Sequence, residues 1–259
     1  MRIALGVEYD GARFHGWQTQ IGVPTAQQAL ETALSRVADH PVIVHCAGRT
    51  DAGVHGYGQV VHFDTPAQRA PRAWVLGGNT NAPPGLGVLW AQAMPETFHA
   101  RFSARRRRYR YVILNRPVRP AVLHGRVAFE RTPLDAAAMH RAGQGLLGEH
   151  DFSAFRAAAC QAKHPVRTLL RLDATRRGDF VVLDVTANAF LHHMVRNLAG
   201  TLIAVGRGER PEGWAREILE SADRRRAGVT APPQGLYFMG VGYPEAFGVP
   251  EREAPVLFV

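Results

Sequence analysis

The chain has 259 residues, 46% of them apolar and 20% charged, with a formal charge of +9. Those proportions exclude a disordered or fibrous protein, and the length suffices for one large domain or two smaller ones. Lys163 is the single lysine, so the positive charge is nearly all arginine, whose planar fork suits phosphate and whose flat face suits stacking on bases.

Such a chain suggests a polyanionic partner, with compositional drift toward arginine as the plain alternative. Cys46 and Cys160 lie far apart with no CxxC spacing and read as small buried thiols, not a structural disulfide. Glu8 and Asp10 interrupt the first apolar run, and no uncharged stretch is long enough to cross a bilayer. A cytoplasmic location follows as the expectation.

In chain order, a strand is expected at residues 2–9, before the turn Asp10-Gly11. A helix should start at Thr25, which has capping-box spacing to Gln28, with Leu30, Ala33, Leu34 and Val37 on its apolar face. A strand at 42–46 precedes the glycine-rich segment 48–58; a strand at 59–63, a short helix at 71–77 and a strand at 88–94 complete the half. That order is β-α-β-β-α-β, a split βαβ pattern.

The second half repeats it loosely. A strand at 109–114 leads to a helix near Thr132-Pro133, again with capping-box spacing to Asp135. Residues 167–175 and 180–186 form a hairpin around Arg177-Gly178, followed by helices over 191–205 and from Pro211, and a strand at 236–242. Arg224–Arg226 and the Pro-rich stretch 231–233 read as loop, and the tail after Tyr243 is poorly patterned. The expected fold is α+β. Two similar halves, 1–104 and 105–246, join antiparallel or mixed sheets, with helices on the outer face, a central basic cleft and a tail at 247–259.

Three stretches could carry chemistry. Residues 48–56 stand between strands, and their glycines suit a sharply turning backbone; no phosphate-loop or dinucleotide pattern is present. Arg49 precedes Asp51 by two residues, and a nearby cation favours an ionised carboxylate available as a nucleophile. An isolated Arg-x-Asp is more often a turn residue beside a solvated arginine. The second stretch, 101–119, holds eight arginines and no acid, with Arg108-Tyr109-Arg110-Tyr111 inside it. On a strand the tyrosines share one face and the arginines the other, which fits base stacking beside a phosphate backbone, or equally two core tyrosines and solvated cations. In the third, residues 188–197, Arg196 lies among apolar neighbours and needs an acidic partner or a backbone carbonyl; Asp51 is a candidate. His192 and His193 are adjacent, point about 100° apart if helical, and make a poor metal pair.

At these residues the sequence resembles the tRNA pseudouridine synthases of the TruA type. The likeness runs through Glu8-Tyr9-Asp10-Gly11, Gly16-Trp17-Gln18, residues 47–55, Phe98-His99-Ala100-Arg101-Phe102, Arg108-Tyr109-Arg110-Tyr111, residues 188–197 and Gly235-Leu236-Tyr237. The resemblance implies isomerisation of uridine to pseudouridine on the 3′ side of the tRNA anticodon stem-loop. It implies Asp51 as nucleophile and Tyr109 as the ring that packs on the target base and assists loss of the C5 proton. Arg196 falls on the basic residue paired with the aspartate, Arg49 on an arginine that helps extrude the uridine, and Leu236 on an apolar pocket residue. A homodimer on tRNA is implied, with no cofactor, no metal and no membrane. The carboxylate could attack C1′, add to C6 of the ring, or act while proton loss at C2′ gives a glycal; the residues do not choose among these. A non-catalytic structured-RNA-binding protein is the alternative from another class.

Overall fold

The computed structural model describes residues 1–251, which fall into two units: Met1–Arg105 with residues 237–251, and Arg106–Leu236. The eight tail residues 252–259 lie outside the described residues. The fold is α+β, and the sheet of each unit mixes parallel and antiparallel pairing.

In the first unit β1 (Arg2–Tyr9) pairs antiparallel with β3 (His55–Asp64) on one side and β4 (Leu86–Met94) on the other. The short β2 (His45–Cys46) pairs with β3, and β10 (Leu236–Gly242) runs parallel to β3, with Tyr237 opposite His55. Sequence reading groups this last strand with the second half; in the fold its residues from Tyr237 belong to the first. Ile3, Leu5 and Val7 alternate along β1 into one core with Leu30 and Leu34 of α1 (Ala26–Ala38) and Trp74 of α2 (Pro71–Asn81). Thr25 caps α1, its hydroxyl accepting from the Gln28 amide at 3.4 Å, as the spacing predicts.

Some boundaries differ from expectation. β3 begins at His55, inside the glycine-rich segment, because Gly56 and Gly58 lie where a neighbour comes too close for a side chain. A Cβ on Gly56 would sit 2.3 Å from the Tyr9 ring, and one on Gly58 would sit 2.4 Å from the Met239 carbonyl oxygen. The described start of the tail also makes tertiary contacts: Phe247 packs edge-on against Phe98 at 5.2 Å, and its carbonyl accepts from Gln92 at 3.2 Å.

The second unit orders its strands β5 (Arg106–Asn115), β9 (Phe180–Ala187), β8 (Val166–Arg177) and β7 (Gly148–Asp151), with β6 (Ala128–Glu130) parallel to β5. The expected hairpin is β8–β9, while β6 and β7 are too short for a periodic signal. α3 (Ala136–Gln144) starts later than Thr132-Pro133, since Asp135 itself is the cap, accepting from the Ala138 amide at 2.9 Å. α4 (Met194–Gly206) is buried almost all round, which its apolar sequence requires, and α5 (Trp214–Ser221) follows. Gly206 lets α4 approach the Met139 side chain, and Gly143 lets α3 lie on Leu172. Arg224–Arg226 is a 3-10 turn, not open loop.

Candidate active site

Asp51 stands on a tight turn in the first unit. Its carbonyl accepts from the Val54 amide at 3.1 Å, and Gly53 takes φ +79°, the left-handed third position of a type II turn. The preceding residue, Thr50, is buried and held at both ends: its hydroxyl meets the Tyr9 hydroxyl at 2.7 Å, and its carbonyl accepts from the Trp17 amide at 3.0 Å. Two glycines make room for this bracing. A Cβ on Gly16 (φ +87°) would lie 2.8 Å from the Thr50 oxygen, and one on Gly11 would lie 2.1 Å from the Val54 oxygen.

On the other flank, Gln59 of β3 donates its amide to the Gly48 carbonyl at 2.6 Å, and the Ala47 amide donates to Val60 at 2.8 Å. His55 accepts from the Gly11 amide at Nδ1, 3.1 Å away, and stacks on Tyr237 with ring centres 4.6 Å apart. The result is a loop whose backbone is fixed on both sides, with Asp51 half-buried and Arg49 exposed at its rim. Burial pushes the Cys46 thiol up to about 11 against the pull of the Arg49 and Arg101 charges, so this sulfur is no nucleophile at neutral pH.

The second unit holds the other expected residues. Tyr109, on β5, is buried and meets Phe190 edge-on at 5.0 Å. Tyr111 donates to the Pro232 carbonyl at 2.8 Å; burial raises its pKa, against the pull of the Arg196 charge. Arg110 is held inside the fold: its Nε and Nη2 donate to the two Asp184 carboxylate oxygens across the β5–β9 pair, each at 2.9 Å. His192 and His193 are not helical: His193 caps α4 in the left-handed region at φ 61°, and the two rings lie 4.0 Å apart.

Arg196 sits in the first turn of α4 and is held by the loop at 228–231. Its Nε donates to the Ala231 carbonyl at 2.8 Å, and the Ala231 amide returns a bond to the Arg196 carbonyl at 3.1 Å. That loop can lie against α4 because Gly200 leaves room: a Cβ there would be 1.7 Å from the Val229 oxygen. Asn197, wholly buried, donates to Phe155 at 2.7 Å and accepts from Arg224 and Thr230, pinning the same helix turn. Leu236 opens β10 and is buried. Cys160 braces the neighbouring segment, its sulfur accepting from the His192 amide at 3.4 Å.

Residues 6–103 and 142–244 match the family described as tRNA pseudouridine synthase. The chain belongs to that family. Three relatives, each called tRNA pseudouridine synthase A, match almost end to end. The Nitrosococcus oceani protein is 57% identical over 256 residues, 99% of either chain. The Pseudoalteromonas atlantica protein is 56% identical over all of this chain and 98% of its own. The Pseudomonas aeruginosa protein is 57% identical over 97% of this chain and 88% of its own. A solved Cbf5-Nop10-Gar1 complex aligns with 78% of this chain and 45% of its own at 14% identity and a TM-score of 0.34, too slight to bear on function.

The pseudouridine synthase is thus an isomerase that acts on tRNA. The family match covers the Asp51 loop, Arg196 and Leu236, whereas Tyr109 falls in the gap between the two matched segments and inside the full-length relatives' alignments. The residues that sequence reading left without a role are the braces: Tyr9, Trp17, Gly11, Gly16 and Gln59 for the loop, and Asn197 and the 228–231 loop for Arg196. Tyr9, Gly11, Gly16, Trp17 and Asn197 lie in the motifs that carry the resemblance, which is the signal the sequence holds for them. None of the described helices is long and apolar enough to cross a membrane.

Proposed function

We propose that this synthase isomerises uridines on the 3′ side of the tRNA anticodon stem-loop, with the Asp51 carboxylate as attacking group. In the net reaction the N1–C1′ bond breaks, the uracil turns and C5 bonds to C1′. The proton on C5 leaves to solvent and N1 takes one up, so no redox partner is needed. A stem uridine is stacked and must be flipped out, at a cost of a few kcal/mol. Phosphate contacts offset that cost, and the shape of the arm supplies the specificity.

The observation that carries this reading is the bracing of the Asp51 turn. A turn residue with no chemical task needs no buried Tyr9–Thr50 bond, no amide on the Thr50 carbonyl and no two glycines cleared for its backbone. Fixed geometry is what a nucleophile requires. In the proposal Arg196 supplies the cation that keeps the carboxylate charged, and its bonds to Ala231 hold it at one place on α4. Tyr109 packs on the flipped base and assists loss of the C5 proton, Leu236 lines the pocket and Arg49 helps extrude the uridine. The enzyme works as a homodimer in the cytoplasm, without metal or cofactor.

Unmodified tRNA carrying tritium at C5 of uridine tests the proposal. The parent should release tritium to water and leave pseudouridine in the anticodon arm, while Asp51→Asn should release none yet still bind. Release by the variant at the parent rate would remove Asp51 from the chemistry. Pseudouridine mapped elsewhere in the tRNA would overturn the stem-loop assignment. Binding without release by the parent would leave a non-catalytic RNA-binding protein.

A further inference from the structure

The turn at residues 98–103 sends two phenylalanines in opposite directions. Phe98 is fully buried, packed on Tyr243 at 5.2 Å, whereas Phe102 is 75% exposed. A singly exposed aromatic is ordinary on a protein surface, but a pre-set one is not. Here the backbone beneath Phe102 is locked. The amides of Arg101 and Phe102 both donate to His99 Nδ1, at 3.1 and 3.3 Å. Ser103 closes the turn twice, its amide donating to the His99 carbonyl and its hydroxyl accepting from the His99 amide, each at 2.9 Å.

The ring itself continues a column of aromatic groups. Phe102 lies 4.3 Å from His99, whose ring lies 4.5 Å from His62, which in turn stacks on His45 at 5.1 Å. His62 belongs to β3 and accepts from the Ala100 amide at 3.2 Å, so the column is rooted in the sheet. Burial holds His62 and His99 below their usual values, so both imidazoles stay neutral and the Nδ1 acceptors persist at physiological pH. The Arg101 guanidinium stands over the Phe102 ring at 5.5 Å, and no acidic residue occurs from 101 to 119.

A rigid, solvent-facing ring beside cations, on an enzyme whose substrate is tRNA, matches the chemistry by which proteins hold unstacked bases. We propose that Phe102 and Arg101 form a docking platform for one unpaired tRNA base, the guanidinium swinging off the ring to meet the phosphate while the base stacks in its place. The platform is a binding element apart from the reacting residues. It rests on tRNA as the family substrate and not on Asp51 or the stem-loop assignment, so failure of either proposal leaves the other standing.

Equilibrium binding of unmodified tRNA to the parent, Phe102→Ala, Phe102→Leu, Phe102→Trp and Arg101→Gln tests it, alongside sedimentation and thermal melting of each. Phe102→Ala should weaken binding by roughly tenfold, the loss typical of one stacked base. Phe102→Trp should restore it, with its indole fluorescence quenched on adding tRNA, and Phe102→Leu should not. Arg101→Gln should lower the slope of log affinity against log salt by about one phosphate contact. Tritium release at saturating tRNA should stay at the parent rate, and melting and sedimentation should not change. Parent-like binding by Phe102→Ala, rescue by leucine, or a change in oligomeric state on losing the ring would each overturn the proposal; the last two would mark an apolar contact with protein.

Discussion

The Tyr9 hydroxyl anchors the side chain of the residue before Asp51. The Tyr9–Thr50 bond is 2.7 Å long and buried, and burial is the main reason the phenol is held above its ordinary pKa, as a neutral group. Tyr9→Phe would leave the Thr50 hydroxyl buried without that partner, costing about 1–3 kcal/mol. It would also loosen the turn that presents the carboxylate. The variant should unfold at lower urea, and its kcat should fall more than its affinity for tRNA, read by urea titration and steady-state tritium release. Equal effects on kcat and binding would mean that the Thr50 anchor serves the fold alone. Arginines teach the converse at this scale. Arg110 lies in a stretch that looks RNA-facing by composition, yet it is bound to Asp184, and Arg207 and Arg224 are likewise taken up within the fold by Glu130 and Asn197.

At the scale of elements, the site loop is shaped by what approaches it from β1 and the segment after it. Gly16 takes φ +87° with its backbone against Thr50, a conformation that costs an L-residue about 1–2 kcal/mol before any clash. Gly16→Ala should therefore lower the melting temperature by several degrees and reduce turnover. Gly22→Ala, also at positive φ (+80°) but with no neighbour within 4 Å, should cost stability and spare turnover. If both glycines behave alike, close approach to Thr50 has no part in activity. α4 shows the same dependence on partners. Its apolar pattern is plain in the sequence, but the placement of Arg196 comes from the 228–231 loop, which lies some thirty residues further along.

For the whole molecule, acid should act first through His62, whose value burial lowers from 6.5 to about 4, with the His99, Arg2 and His45 charges adding to the effect. A folded value below the unfolded one means that the unfolded chain takes up the proton first. The stabilising contribution is complete above about pH 6.5 and is lost as pH falls toward 4. Melting temperature followed across that window should drop for the parent. It should drop less for His62→Asn, whose amide oxygen can still accept from Ala100. Parallel curves would remove His62 from the acid response.

The sequence by itself determined the α+β class, the family, most element types, the Thr25 cap and the span of β1 and β10, because period-2 and helical patterns and capping spacings are local physics. Glycine spacing marked the 48–58 loop without bounding it, since the strand boundary at His55 depends on Tyr9 and Met239 coming close from elsewhere. The sequence could name Asp51 and Arg196 but not what holds them, nor could it separate arginines bound inside the fold from those left at its surface. Those outcomes rest on pairings between residues distant along the chain: Asp184 opposite Arg110, Thr50 under Tyr9, Ala231 beside Arg196. Only tertiary structure brings such partners within hydrogen-bonding range, because a bond of about 3 Å between distant residues leaves no period in the sequence.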